Sequence, residues 1–139
     1  MRKLLLISSN TIHTYKYLQL VETYFDEVLL ITNEKSTVYD FPTVELSFNL
    51  KIKNIFSTVK AIKKHINQFQ PTIIHIHQAN SYAFYGLLAS RKVKIPTVLT
   101  AWGSDVLVIP KSNFLLKKIV QFNLRTADYL TSDSNFMAA

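Results

Sequence analysis

A chain of 139 residues and 16.0 kDa, 48% hydrophobic and 18% charged, has the size and make-up of one ordinary folded domain and not of a disordered tail. It has no cysteine, which excludes disulfides, thiol nucleophiles and cysteine-ligated metal centres; its two glycines, Gly86 and Gly103, are too few for a dinucleotide fingerprint or a P-loop. A net charge of +7 and a pI of about 9.6 point towards anionic partners: nucleic acid, a membrane surface or a phosphorylated substrate.

The chain opens with Met1-Arg2-Lys3 and a four-residue apolar run, Leu4–Ile7, bounded by Ser8-Ser9-Asn10. That run is too short for a signal peptide and reads as a buried strand. Thr11–Tyr24 reads as a helix with Ile12, Tyr15, Leu18, Val21 and Tyr24 on one side. Glu27–Thr32 is a second strand and Thr43–Phe48, after Pro42, a third. Leu50–Phe69 is an amphipathic helix whose stripe is Ile52, Ile55, Phe56, Val59, Ile62, Ile66 and Phe69, stopped by Pro71. Thr72–His77 is the fourth strand, Ser81–Arg91 a helix, and Thr97–Ala101, after Pro96, the fifth strand. Asn113–Thr126 is a helix with Leu115, Leu116, Ile119, Val120 and Phe122 inward. Tyr129–Ser132 is a sixth strand, and Ser134 has the character of an N-cap. No run approaches the roughly 20 apolar residues of a transmembrane helix, so a cytoplasmic domain is expected.

Strands alternating with helices predict an α/β domain: a doubly wound, Rossmann-like parallel sheet of about six strands in the order 3-2-1-4-5-6. Ligands of such sheets bind outside the carboxyl ends of the strands, where the order reverses between strands 1 and 4. This places a crevice at Ser8–His13, at His77–Tyr82 and at Ala101–Val106.

Several residues there carry chemistry. His75 and His77, two apart on a strand, share a face, but no glutamate lies nearby to complete a metal site, and none is expected. His75 reads as a half-buried strand histidine. His77, at the strand's end and towards the cleft, either bonds a sugar hydroxyl or phosphate or is structural. In Trp102-Gly103-Ser104-Asp105 the indole beside a glycine suits stacking on a sugar or base, and Asp105 could accept hydroxyl hydrogen bonds or stabilise positive charge at an anomeric carbon. A packed core Trp and a turn-closing Asp are the alternatives. Ser9, Asn10 and His13 lead into a helix N-terminus, as do Gln78, Asn80 and Tyr82, and each group could bind substrate or cap its helix. The candidate catalytic residues are Asp105 and His77; the candidate substrate contacts are Ser9, Asn10, His13, Gln78, Asn80, Tyr82, Trp102, Gly103 and Ser104.

Three segments carry a family resemblance: Pro71-Thr72-Ile73-Ile74-His75-Ile76-His77, then Pro96-Thr97-Val98-Leu99-Thr100-Ala101-Trp102-Gly103-Ser104-Asp105, then Ala127-Asp128-Tyr129 through Ser134. In order and spacing they resemble the N-terminal domain of family-4 glycosyltransferases, with motifs of the form P-D-I-I-H-x-H, P-x-V-x-T-x-H-G-x-D and A-D-x-x-x-x-x-S. The resemblance implies the N-terminal, acceptor-side half of a two-domain GT-B enzyme. Such an enzyme transfers a sugar from a nucleotide-sugar, with retention of configuration, to a glycan or lipid-linked acceptor. It also implies that residues 1–139 form a single domain, that the C-terminal nucleotide-sugar domain lies outside them, and that this chain alone is inactive. The nucleotide-sugar is then a co-substrate held mainly by that other domain, and no tightly bound cofactor is expected. The sequence departs from the pattern at Ser8-Ser9-Asn10, where the family often has a glycine-rich turn, and at Trp102, where a histidine is common.

Two other classes compete. A receiver or flavodoxin-like binding module would cluster acids at the ends of strands 1 and 3, where this chain has Ser8-Ser9 and Ser47-Phe48. A nucleic-acid binder would expose aromatics between its basic residues, whereas Phe56 and Phe69 are expected on the buried stripe, so no nucleic-acid partner is expected. The lysines Lys51, Lys53, Lys60, Lys63 and Lys64, with Lys111, Lys117, Lys118 and Arg125, suggest weak attachment to an anionic membrane, peripheral on its cytoplasmic face.

Overall fold

The computed structural model describes residues 1–102 and 114–132. Six strands, β1 (Lys3–Ile7), β2 (Glu27–Thr32), β3 (Thr43–Glu45), β4 (Ile73–His77), β5 (Thr97–Ala101) and β6 (Tyr129–Ser132), form one sheet in the order β3-β2-β1-β4-β5-β6. Every pairing is parallel. Among the described residues, four helices, α1 (Ile12–Val21), α2 (Ile52–Phe69), α3 (Ser81–Ser90) and α4 (Phe114–Thr126), lie in the crossovers, except that from β2 to β3, which is a loop. The doubly wound architecture and the strand order are those expected from the sequence.

Because successive strand residues point to opposite faces, the short apolar strands fill two cores. Leu5, Ile7, Ile31, Ile74, Ile76 and Leu99 face α2, α3 and α4, meeting Ile62, Ile66, Tyr85, Leu87 and Val120. Leu4, Leu6 and Leu30 face α1, meeting Tyr15 and Leu18. Each fully buried Leu or Ile contributes about 1.5–3 kcal/mol, so these strands hold the sheet together by burial and not by charge. Helix α3 lies close on β1 and β4 because Gly86 has no side chain: a Cβ there would stand 2.9 Å from the Cδ1 atoms of both Ile7 and Ile76. Asp128, from the Ala-Asp motif, has a structural role. Its Oδ2 accepts from Thr97 N (2.9 Å) and Thr97 Oγ1 (3.2 Å), tying the start of β5 to the turn before β6.

The structure corrects several expectations. Helix α1 is shorter than Thr11–Tyr24, running from Ile12 to Val21, and both Ile12 at its start and Tyr24 in the turn beyond its end are exposed, since neither reaches the core that Tyr15 and Leu18 enter. Strand β3 stops at Glu45, and Leu46–Lys51 is a loop. In α2 the inward stripe is Thr58, Ile62 and Ile66 with Ile55, Val59 and Phe69 partly buried, whereas Ile52 and Phe56 are 76% and 75% exposed. At about 100° per residue these two lie about a quarter turn from the centre of the buried stripe. Leu115 in α4 is likewise exposed and Leu116 only half-buried, both expected inward.

Candidate functional site

The crevice forms where β1 and β4, side by side with Ile7 opposite Ile76, reach their carboxyl ends and the chain leaves in opposite directions. On the α1 face, β4 presents His75 and His77, and α1 lays Tyr17 across both, with ring centroids 4.9 and 4.7 Å away. The two imidazoles are 4.7 Å apart and perpendicular. Trp102, half-buried just past β5, stands 5.8 Å from His77 and 5.7 Å from the exposed ring of His13. Tyr17, His75, His77, Trp102 and His13 are thus one continuous ring cluster at the mouth of the crevice.

His75 is fully engaged. Its Nδ1 meets Tyr17 Oη at 2.6 Å and its Nε2 meets Thr100 Oγ1 at 2.7 Å; Thr100 Oγ1 in turn meets Thr131 Oγ1 at 2.6 Å. A neutral imidazole has one donor and one acceptor nitrogen, so the chain Tyr17–His75–Thr100–Thr131 runs in a single direction. With both nitrogens occupied, His75 has none left for a metal, and among the described residues no cluster of three ligating side chains exists. Burial pushes His75 down to about 4 and Tyr17 up to about 12. Burial, then the charge that His75 would carry, pushes His77 down to about 3. Both histidines are therefore neutral at physiological pH.

His77 differs in one respect: its Nδ1 is buried with no partner. Two neighbours share that condition, Ser9 Oγ at the end of β1 and Gln78 Oε1 at the end of β4. Gln78 also adopts a left-handed backbone (φ 75°), a conformation that costs a residue with a side chain about 1–3 kcal/mol and persists where the surroundings impose it. A buried polar atom without a partner costs about 1–3 kcal/mol. Three of them at one switch point form a site short of hydrogen bonds, which a polar ligand can supply.

The other sequence candidates divide. Asn80 is the N-cap of α3, its Oδ1 accepting from Tyr82 N at 3.1 Å, so its side chain is spent on the helix. Asn10 is a brace: its Oδ1 accepts from Tyr15 Oη (2.8 Å) and its N–H donates to Asn33 Oδ1 (2.9 Å). Helix α1 opens at Thr11 with no side-chain cap. His77 does lie at the strand's end, but it is buried beneath Tyr17 and Trp102 instead of standing free in the cleft. Tyr82 points away from the histidines and stacks on Phe48, 4.2 Å between centroids and 24° from parallel. Gly103, Ser104 and Asp105 lie outside the described residues.

Sequence reasoning missed two features. Asn123 of α4, fully buried, donates from Nδ2 to the carbonyls of Ala79 and Asn80, both at 3.0 Å, and so fixes the β4–α3 loop from behind. An Asn amid an inward apolar stripe was the available signal. Beyond Tyr82, a cavity of about 620 Å³ opens between the ends of β2 and β3 and the start of α3, lined by Asn33, Glu45, Leu46, Ser47, Phe48, Asn49, Ser81 and Tyr82. Nothing in a short strand and a loop marks these as neighbours of Ser81; only the sheet order does.

A doubly wound parallel sheet with a polar switch point at the ends of β1 and β4 defines a Rossmann-like domain of the kind that forms the N-terminal half of GT-B proteins. The chain belongs to the glycosyl transferase 4-like family, whose model matches residues 3–134. No curated protein is significantly similar to it in sequence. Its fold is similar to UDP-N-acetylglucosamine 2-epimerase from Rickettsia bellii, with a TM-score of 0.75 at 10% identity over 98% of this chain and 40% of that one. It is also similar to the UDP-GlcNAc 2-epimerase from Methanocaldococcus jannaschii, with a TM-score of 0.69 at 12% identity over 95% of this chain and 39% of that one. The enzyme of the same name from Neisseria meningitidis, solved with UDP-GlcNAc, gives a TM-score of 0.67 at 11% identity over 94% and 39%. The chain thus spans about two fifths of the length of these structures, and at such identities the likeness is one of fold.

Proposed function

We propose that this chain is the acceptor-side domain of a retaining glycosyltransferase, moving a sugar from a nucleotide-sugar to a glycan or lipid-linked acceptor in surface polysaccharide or glycolipid synthesis. The observation that carries the reading is the group of buried, unpartnered atoms, Ser9 Oγ, His77 Nδ1 and Gln78 Oε1, beside the Trp102 ring at the switch point. Sugar hydroxyls both donate and accept, so they can satisfy this mixture of groups, while the indole covers an apolar sugar face. His77, held neutral, acts here as a hydrogen-bonding contact and not as a cation or a strong base. Asp105, outside the described residues, is proposed to stabilise the positive charge that develops at the anomeric carbon during transfer. The nucleotide-sugar is the co-substrate, held mainly by a second domain outside residues 1–139. Closing the two domains on each other would bring donor and acceptor into reacting geometry, and such positioning can remove about 7–11 kcal/mol of a barrier.

The same reading makes an anionic bilayer a second, weak partner, with the protein in the cytoplasm and peripheral on its membrane. Helix α2 carries Lys53, Lys60, Lys63 and Lys64 on its solvent side, next to the exposed Ile52 and Phe56. No helix among the described residues is long and apolar enough to cross a membrane.

Transfer assays separate the readings. The full-length protein, given a panel of nucleotide-sugars and acceptors, should form product, and Asp105→Asn and His77→Ala should each lower turnover per folded molecule. The 139-residue chain alone should form none. Conversion of a nucleotide-sugar to its epimer without any acceptor would replace transfer by epimerisation. Binding without any turnover of the full-length protein would instead favour a non-enzymatic α/β binding module.

A further inference from the structure

We infer that the cavity between the ends of β2 and β3 and the start of α3 is the subsite for an uncharged sugar ring of the acceptor; this rests on the transferase reading and specifies what its acceptor half binds. At about 620 Å³ the cavity has the size of an ordinary small-molecule site. Its chemistry is selective. Among the described residues its polar lining is two amides (Asn33, Asn49), three hydroxyls (Ser47, Ser81, Tyr82) and one carboxylate (Glu45), with no Lys, Arg or His, in a chain of net charge +7. A phosphate entering here would meet a carboxylate and no cation. A polyhydroxyl ring would meet donors and acceptors together, and Glu45 can accept two hydroxyls through charge-assisted bonds.

The walls are set before any ligand arrives. Asn54 Nδ2 donates to the carbonyls of Ser47 (2.9 Å) and Asn49 (2.8 Å), and Thr58 Oγ1 donates to the Ser47 carbonyl at 2.7 Å. Tyr85 Oη donates to the Asn49 carbonyl from α3. The loop's backbone is thus anchored from α2 and α3, and the side chains of Ser47 and Asn49 stay exposed at the cavity. Asn33 Oδ1 is held by Asn10 N–H and by Thr32 Oγ1 (3.2 Å), so what Asn33 offers is its NH₂. Half-buried Tyr82, backed by the buried Phe48 on which it stacks, gives an aromatic wall against which the C–H face of a sugar packs. Asn33 of the lining accepts from the N–H of Asn10, just past β1, so the cavity adjoins the loop that follows β1 at the crevice.

The test is an amide-resolved NMR titration of the ¹⁵N-labelled 139-residue chain with a panel of methyl hexopyranosides, with inorganic pyrophosphate and UDP as the charged probes. At least one glycoside should move the signals of Asn33, Ser47, Asn49 and Tyr82 while pyrophosphate and UDP leave them in place. Glu45→Gln, at an exposed position that carries no packing, should weaken that binding about tenfold, the loss of one charge-assisted bond. Preferential movement of these signals by pyrophosphate or UDP, or none by any glycoside, overturns the subsite. The transferase reading fails separately. Glycoside binding here with no sugar transfer by the full-length protein leaves the subsite standing without the enzyme. Transfer with an acceptor KM unchanged by Glu45→Gln leaves the enzyme without this subsite.

Discussion

Apolar residues of β1 and β2 fill both faces of the sheet, but β4 builds its two faces by opposite means. On the side of α2, α3 and α4, β4 contributes Ile74 and Ile76, both fully buried among apolar partners. On the side of α1 the same strand contributes His75 and His77, and the neighbouring strands add Thr100 and Thr131, which hydrogen-bond one another. One face therefore stores stability in burial, and the other spends some of it to keep neutral imidazoles and unpartnered polar atoms next to the crevice. Stability and binding are separated by the alternation of a five-residue strand, Ile73–His77.

The largest expected effect on this contrast is acid sensitivity. His75 and His77 are held at about 4 and about 3, below the ordinary 6.5, chiefly by burial. Between 6.5 and those values the unfolded chain binds protons that the folded chain does not. The histidine contribution is therefore complete above pH 6.5 and drains away as pH falls through it towards 4. By pH 4 the loss for His75 alone is about 3 kcal/mol, and His77 adds more. Melting temperatures recorded from pH 8 down to 4 should fall steeply, and less steeply in His75→Gln; equal slopes in the two proteins would mean that the imidazoles are not buried.

Next comes the apolar face. Ile76→Ala leaves a cavity against α3 and should cost about 2–5 kcal/mol in chemical denaturation, with the acid slope unchanged. Asn123→Ala should cost less, about 1–3 kcal/mol, because two carbonyls lose their donor, and it releases the β4–α3 loop. Faster hydrogen exchange confined to residues 78–82 would distinguish this release from a general loss of packing. An exchange pattern identical to that of Ile76→Ala would show that Asn123 is only a core residue.

The fold was legible because its signals are local: apolar runs of four residues in the first two strands, Pro42, Pro71 and Pro96 before later ones, and helical periodicity between them. The crevice followed from the strand order alone. What stayed hidden depends on which face of an element meets another. Periodicity places Ile52 and Phe56 on the stripe of α2, but only packing shows that the sheet ends short of them. The spacing of His75 and His77 shows a shared face without showing that Tyr17 and Thr100 occupy the first and not the second. Asn80 read as a substrate contact because a cap and a ligand-binding residue have the same composition. The cavity at Glu45 was invisible because its residues come from β2, β3 and α3, distant in sequence and joined by topology.

The smallest effect on stability is expected at Phe56, on the outer side of the helix that covers the apolar face. At 75% exposed it buries little, so Phe56→Ser should change the unfolding free energy by no more than about 0.5 kcal/mol. Its exposure instead suits an interface. On the helical wheel, Ile52, Phe56, Lys60 and Lys63 fall within about a quarter turn of one another, so an apolar pair and two cations share one flank. Each lysine near an anionic leaflet contributes about 1 kcal/mol, and the phenyl ring adds attraction that salt does not screen. Vesicle co-sedimentation should therefore show binding to anionic but not to neutral vesicles. It should weaken as the screening length shrinks from about 10 Å at 0.1 M salt to about 3 Å at 1 M. Phe56→Ser should lower the binding that survives at high salt, and Lys60→Gln with Lys63→Gln the binding at low salt. Equal sedimentation with neutral and anionic vesicles, or none at low salt, would reduce this flank to a solvated surface and leave α2 with one working side.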